Sequence, residues 1–417
     1  MMFRLPMFLG ARLSLGNGNK KNAPAVNVAV AAVALSVAVM LASVAIVNGF
    51  KREIKNKVVG FNYHLTLYQV PGTNSEEESQ NLVSFTPTLK KILDETPYIT
   101  NYRLELSAPS LLKTDQDFKG IYFKGDSDLE SDAFLKGNLV SGRLPKPNAQ
   151  TPEMLISEKA ANELNLKTGD TADTYFIADD VKVRRMKIAG IYNSHFDSYD
   201  DLYVFGDLNM VRELTGVKAH EAGTIRIMTD NLDRAEEYAA DLSKRLIAAY
   251  TNGEIYRAYN VESVYRQGTN YFQWLSLLDT NVFVILVLMS IVACVTIISG
   301  MLIIILDKVR FIGLIKSFGA ADKLVRRVFV YLAIKVAARG LLIGNVFMLI
   351  LLWIQDKYRV IPLDPDSYYI DYVPVELGIT PIIVLNAVVL TLIFLILLLP
   401  SRFASTIHPA EAVRYEE

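Results

Sequence analysis

Four stretches of the chain are predominantly apolar: about 25–47, 280–306, 328–354 and 379–400. Each reaches the ~20 residues a helix needs to cross a bilayer. Between the first and second lies a polar stretch of domain size, about 51–270. The pattern predicts an α-helical membrane protein with four transmembrane helices plus a large α+β extracytoplasmic domain inserted between helices 1 and 2. The expected boundaries are a tail over 1–24, helix 1 over 25–50, the domain over 51–270, helix 2 over 275–306, a connecting segment over 307–327, helix 3 over 328–354, a loop over 355–378, helix 4 over 379–400 and a tail over 401–417.

Inside the polar stretch, His64–Val70 and Tyr98–Pro109 read as strands. Between them Thr86-Pro87 offers an N-cap and a first-turn proline for a short helix ending near Pro97. Glu221–Thr229 is strand-like, Asn231–Tyr250 carries a helical pattern and Glu254–Asn260 is strand-like again. The middle is rich in turn signals, among them Lys124-Gly125-Asp126, Ser141-Gly142 and Thr168-Gly169-Asp170, as short strands require. A βαβ-like part split over about 51–110 and 216–270, with a β-rich insertion over about 111–215, follows from this.

Half of the residues are hydrophobic, yet about a fifth are charged, and the two classes are segregated. The N-terminal tail carries Arg4, Arg12, Lys20 and Lys21 without an acidic residue. The 307–327 segment carries Lys308, Arg310, Lys316, Lys323, Arg326 and Arg327 against two aspartates, whereas 355–378 is acidic. The positive-inside rule therefore places both termini and 307–327 in the cytoplasm and the large domain outside. Lys51, Arg52, Lys55 and Lys57 follow the first run on the outer side and run against the rule; a long translocated domain follows them. The first run is longer than the ~7–15-residue core of a cleaved signal peptide. The formal net charge of −1 lacks the basic footprint of nucleic-acid binding. The single cysteine, Cys294, lies in the second apolar run and excludes an internal disulfide framework.

The 307–327 segment is the most informative. Phe311, Ile312, Leu314, Ile315 and Phe318 recur at helical spacing, and Gly319 supplies a break. A short basic helix with an apolar side, held at the inner membrane face, is suited to docking on a partner. Elsewhere, catalytic chemistry is sparse. Gly120–Ser127 (GIYFKGDS) has the glycine spacing of a phosphate loop, but Asp126 stands where lysine is needed and would repel phosphate. His64, His195, His220 and His408 lack metal-site spacing, and His195 with Asp197, Asp200 and Asp201 reads as a polar loop before a strand at Leu202–Phe205 rather than a metal site. No serine stands in a nucleophile elbow, so the chain is not expected to be an enzyme by itself.

In the first run Ala34, Ala38 and Ala42 repeat every fourth residue, which permits close helix approach. Val33, Val37, Met40, Val44 and Val47 form a bulky stripe, either ordinary core or lipid-facing packing or an apolar wall for an acylated substrate. Lys335 and Arg339 lie one turn apart in the third run, open to a functional role or to snorkelling toward the cytoplasm.

Several motifs, taken in order, resemble the FtsX/MacB-like permeases of ABC transporters, nearest the lipoprotein-releasing LolC/LolE type. They are Asn48-Gly49-Phe50 leaving the first helix; Gly142-Arg143, Leu155-Ile156-Ser157 and Leu166–Asp170 (LKTGD); Gly190-Ile191-Tyr192 and Tyr199-Asp200; Asp307–Arg310 with Gly313–Ala320 (GLIKSFGA); Tyr368-Tyr369-Ile370-Asp371 with Val373-Pro374-Val375; and His408–Tyr415 (HPAEAVRY).

The resemblance implies a dimer of permeases, identical or different, bound to a cytoplasmic ABC ATPase. That ATPase would bind ATP and Mg, leaving no cofactor in this chain. It implies ATPase coupling through Lys308, Phe311, Ile312, Gly313, Leu314, Ile315, Lys316, Phe318 and Gly319. It also implies a path for the lipoprotein substrate past Met40, Val44, Val47, Asn48, Gly49 and Phe50, with transfer to a periplasmic carrier. The LolC type carries a proline-containing hook that recruits the carrier, whereas Tyr175–Arg185 here is short and has no proline. Two rivals remain: a MacB- or FtsX-like mechanotransmission permease serving efflux or cell-wall hydrolases, and a membrane-anchored receptor without an ATPase.

Overall fold

The computed structural model describes residues 23–70, 81–147, 152–178 and 180–406. Most of the tail expected over 1–24, with its four basic residues, and the 408–415 ending lie outside the described residues. The chain forms two compact units: Met1–Lys51, Leu275–Pro362 and Tyr372–Glu417 in one, Arg52–Trp274 and Leu363–Asp371 in the other.

The first unit is helical. The long helices of the chain are Ala23–Asn62, whose residues from Arg52 on belong to the second unit, Thr269–Asp307, which enters the first unit at Leu275, Asp322–Tyr358 and Ile379–Thr406; all four are long and apolar enough to cross a membrane by length and composition. The first helix passes through Asn48-Gly49 and runs to Asn62, well beyond the expected end at 50. No proline interrupts 51–62, and a lone glycine costs a helix only ~1 kcal/mol. Gly49 is instead a contact point: a Cβ there would lie 2.5 Å from the Pro374 carbonyl oxygen. Beside it the Glu376 amide donates to the Ala45 carbonyl at 2.9 Å, and Val375 packs with Ala45 and Leu352. The third long helix begins at Asp322, before the expected 328, so Lys323, Arg326 and Arg327 form its first turns.

Val33, Val37, Met40 and Leu41 of the first helix pack with Met301 and Ile305 of the second, Phe329 and Ala337 of the third and Val389 and Ile393 of the fourth. Glycines set the close contacts. A Cβ at Gly344 would collide with the Ala34 backbone, and one at Gly340 would lie 2.7 Å from Val33 Cβ. Gly340 and Gly344 thus form a small-xxx-small pair meeting the first helix. Asn345 and Asn386 exchange side-chain hydrogen bonds of 2.7 and 2.9 Å between the third and fourth helices.

The second unit is built on strands β1 (Leu65–Gln69), β2 (Val83–Ser84), β3 (Ile99–Lys113), β4 (Phe118–Asp126), β5 (Leu139–Gly142), β6 (Glu153–Ser157), β7 (Thr171–Ile177), β8 (Val181–Tyr192), β9 (Tyr203–Asp207), β10 (Glu221–Ala222), β11 (Thr224–Thr229) and β12 (Tyr259–Ser263). Ten of them make one sheet in the order β12-β1-β11-β3-β4-β9-β6-β8-β5, with β7 pairing β3 and β8; β2 and β10 pair apart. The expected strand Glu221–Thr229 is divided at Gly223 between those two sheets. The expected strand Glu254–Asn260 begins only at Tyr259. The amides of Glu254 and Ile255 bond back to the Ala249 carbonyl, closing the helix Ala235–Thr251, and are unavailable to a ladder.

Two cores lie along this sheet. Leu65, Leu67, Ile225, Ile227 and Val261 pack under the helices Pro87–Asp94 and Ala235–Thr251 through Leu89, Leu93, Leu242 and Leu246. Leu112, Phe123, Ile156, Phe176, Met186 and Val204 pack with Leu208 and Val211 of the helix Leu208–Thr215. β3 serves both: its first half pairs β11 over Ile99–Glu105, and its second half pairs β4 over Glu105–Lys113 and β7 over Ser110–Lys113. Where the halves meet, a buried ionic cluster replaces apolar packing. Arg226 pairs with Asp126 and, at 3.0 Å, with Glu105; Arg103 pairs with Asp132 at 3.1 Å; Lys124 pairs with Glu105 at 3.4 Å. Lys124 and Asp126 of GIYFKGDS therefore belong to a core strand.

Candidate functional site

The connecting segment forms a helix over Val309–Ser317. Its end is fixed by backbone chemistry. The Gly319 amide donates to the Lys316 carbonyl at 2.9 Å and the Ala320 amide to the Ile315 carbonyl at 3.1 Å, with Gly319 at φ +88°. These are the two bonds of a Schellman ending, whose left-handed position favours glycine. Only Phe318 to Ala321 separates this helix from the third long helix, and Lys316 Nζ bridges to Asp322 at 2.8 Å. Lys308 pairs with Asp307 at 2.7 Å.

The apolar face is split between the chain's own core and solvent. Ile312 is 1% exposed, and it lines a cleft with Phe311, Ile315, Val325, Val328 and Phe329. The cleft holds only about 10 Å³, roughly one water, so these side chains are already occupied with each other. Leu314 and Phe318 are 57% and 82% exposed. Gly313 is buried and Gly319 exposed. Of the apolar stripe, Leu314 and Phe318 are left exposed, whereas Ile312 is not. The partners Val325, Val328 and Phe329 escaped the sequence reading, although their spacing at the start of the third helix is the signal that would have found them.

The expected substrate-path residues also divide. Met40 is 1% exposed at the centre of the helical core, where Ser290 Oγ approaches its sulfur at 3.8 Å. It is core, the first of the two readings of its stripe, and offers no open wall. Val44, Val47, Asn48 and Phe50 are half-buried, and Gly49 is buried beneath Pro374. Asn48-Gly49-Phe50 and Val373-Pro374-Val375, far apart in sequence, therefore meet.

In the second unit, His195, Asp197 and Asp200 border a polar cleft with Glu158 and Lys159. Asp200 is buried and accepts from the Ser194 amide and hydroxyl at 3.1 and 2.6 Å. Among the described residues no group of His, Cys, Asp and Glu could hold a metal ion. Tyr175–Arg185 forms the β7–β8 hairpin, with Ile177 opposite Val181 and Tyr175 opposite Val183; Asp179 lies outside the described residues.

Comparison with known proteins fits this architecture. Residues 28–245 match the MacB-like periplasmic core domain, and residues 283–409 match the FtsX-like permease C-terminal domain. The chain is 23% identical over 405 residues, 92% of each chain, to a lipoprotein-releasing system transmembrane protein LolC of Xylella fastidiosa. It is 22% identical to LolC of Neisseria meningitidis over the full length of both. It is 23% identical to LolE of Haemophilus influenzae over 91% of this chain and 92% of that one. Among solved structures, the periplasmic region of MacB from Actinobacillus actinomycetemcomitans covers 52% of this chain and 95% of its own at 15% identity and a TM-score of 0.36. Because the first match spans just over half of the residues and the second takes up most of the remaining helical part, the chain belongs to the family of FtsX-like permeases that carry a MacB-like periplasmic core domain.

Proposed function

We propose that this chain is the permease subunit of an ATP-driven ABC complex that extracts lipoproteins from the outer leaflet of the inner membrane and passes them to a periplasmic carrier. The observation that carries this reading is that the similarity to lipoprotein-releasing transmembrane proteins runs through both units, from the first long helix to the last. The short helix Val309–Ser317, with Leu314 and Phe318 displayed, supports a cytoplasmic ATPase as partner. That ATPase binds ATP and Mg; this chain supplies no cofactor and no catalytic residue. A second permease, identical or different, completes the dimer. Charge asymmetry supports a multi-pass inner-membrane orientation with four spans, both termini cytoplasmic and the large domain periplasmic.

Val44 and Val47, half-buried in the first helix toward the outer end of the span expected over 25–50, are the residues through which an acyl chain would pass. Each buried methylene contributes ~0.8 kcal/mol, so wall area outweighs any one hydrogen bond there. In the reconstituted ATPase-bound complex, a photo-crosslinker at Val44 or Val47 should capture a triacylated lipoprotein, with release to a carrier on ATP addition. Crosslinks to phospholipid or a neighbouring helix alone would sink the substrate assignment. The match of 28–245 to the MacB-like core domain favours a second reading, mechanotransmission for efflux or for cell-wall hydrolases. That reading predicts an ATPase partner but no lipoprotein release, whereas a receptor would purify without an ATPase.

A further inference from the structure

Three sequence fragments that coupling and the substrate path leave unused meet at one side chain. Lys57, in the last turns of the first long helix, donates from Nζ to the Ser194 carbonyl and to the Tyr369 carbonyl, each at 2.6 Å. Ser194 opens the His195–Asp201 loop, and Tyr369 belongs to the Tyr368–Asp371 fragment. All three lie in the second unit, which takes Leu363–Asp371 although the chain on either side of that segment belongs to the helical unit.

Both acceptors are built for the lysine. Ser194 is fully buried and held by the Asp200 carboxylate, which also accepts from the Phe196 amide at 3.3 Å. Tyr369 itself sits at φ +61° and His195, next to Ser194, at φ +53°. A bulky residue adopts this left-handed conformation only where its surroundings impose it. Here the imposing groups are visible. The Tyr369 ring stands edge-on to Phe196 at 5.3 Å, and Phe196, fully buried, also packs on Tyr199 and Tyr271 at 4.9 Å. Ile370 is 2% exposed, and the ends of the segment are tied by the Leu363 amide to the Asp371 carbonyl at 3.0 Å. The charges of Asp200, Asp371 and Glu53 favour the ammonium and offset part of the cost of burying it.

We propose that Lys57 is a positioning residue that fastens the 363–371 loop, the connection between the third and fourth long helices, to the periplasmic domain, and that lipoprotein release depends on this fastening. The transport half rests on the function proposed above; the fastening rests on geometry alone. The domain is then joined to the helical unit through four chain passages, at 51/52, 274/275, 362/363 and 371/372, and the lysine is what makes the last two count.

The test compares wild type, Lys57→Met and Lys57→Arg in the full ATPase-bound complex. Amide exchange over 363–371 should rise about tenfold to a hundredfold in Lys57→Met, the worth of hydrogen bonds from a charged donor. Exchange in β6 and β8 should stay unchanged, showing that the domain is folded. Lys57→Arg should restore slow exchange. ATP hydrolysis should persist in Lys57→Met while lipoprotein release falls about tenfold. Unchanged exchange over 363–371 overturns the fastening, and faster exchange with undiminished release overturns its role in transport. A wild-type complex that hydrolyses ATP without releasing lipoprotein defeats the proposed function instead, and the exchange comparison still decides the fastening.

Discussion

Ile312 and Leu314 stand two residues apart on one short helix and have opposite fates. Replacing Ile312 by Asp places a charge in the chain's own core, so the protein should fail to accumulate in the membrane. Replacing Leu314 by Asp leaves the fold intact and should abolish ATPase binding or stimulation. Equal membrane levels of the two variants, or full ATPase stimulation by Leu314→Asp, would contradict the split. The sequence displays the apolar periodicity of this helix but cannot tell a partner in the same chain from one in another, because both select the same residue types. Arg226 gives a second residue-scale prediction. Its guanidinium serves Asp126, Glu105 and the Phe61 carbonyl from a buried position. Arg226→Met should therefore cost about 3–5 kcal/mol in urea unfolding of the domain, because it strands buried carboxylates. Nothing in the local sequence announces this cluster, in which Arg226 of β11 meets residues of β3 and β4 about a hundred positions earlier.

At the scale of elements, patterns confined to one segment were the legible ones. Thr86-Pro87 does open a helix, with the Thr86 hydroxyl accepting from the Leu89 amide at 3.2 Å. The strand expected at His64–Val70 is β1. Misplacements arose where an element's end is set by a distant contact, as at Gly49 beneath Pro374 or at the turn that delays β12. The Gly340/Gly344 pair stands plainly in the sequence, but its meaning depends on which helix lies opposite. Gly344→Leu should destabilise the helical unit by about 1–3 kcal/mol, measured as a lower midpoint in detergent unfolding.

For the whole molecule, segregation of charge and apolarity carried the reading furthest. It separates a helical unit from a strand-rich one without reference to any contact. Orientation rests on the same asymmetry, and cysteine labelling tests it. In intact spheroplasts an impermeant thiol reagent should label Ser127→Cys and Asp366→Cys but not Ser317→Cys. Labelling of Ser317→Cys alone would invert the topology. The strands between 111 and 215 have a side-chain core of their own. Their backbone, however, is continuous with the rest of the sheet through β3 and β4.

That shared strand bears on how such proteins could be recombined. β3 leaves one core and enters the other without a loop, and its side-chain alternation must satisfy both at once. A single-residue insertion near Glu105 would turn every later side chain of the strand to the wrong face. A graft of 106–217 from a relative would have to match the recipient in register, not merely in length. The β7–β8 hairpin loop imposes no such constraint on the ladder. Natural diversification and laboratory chimeras alike should therefore accept added residues at 178–180 and reject them in β3.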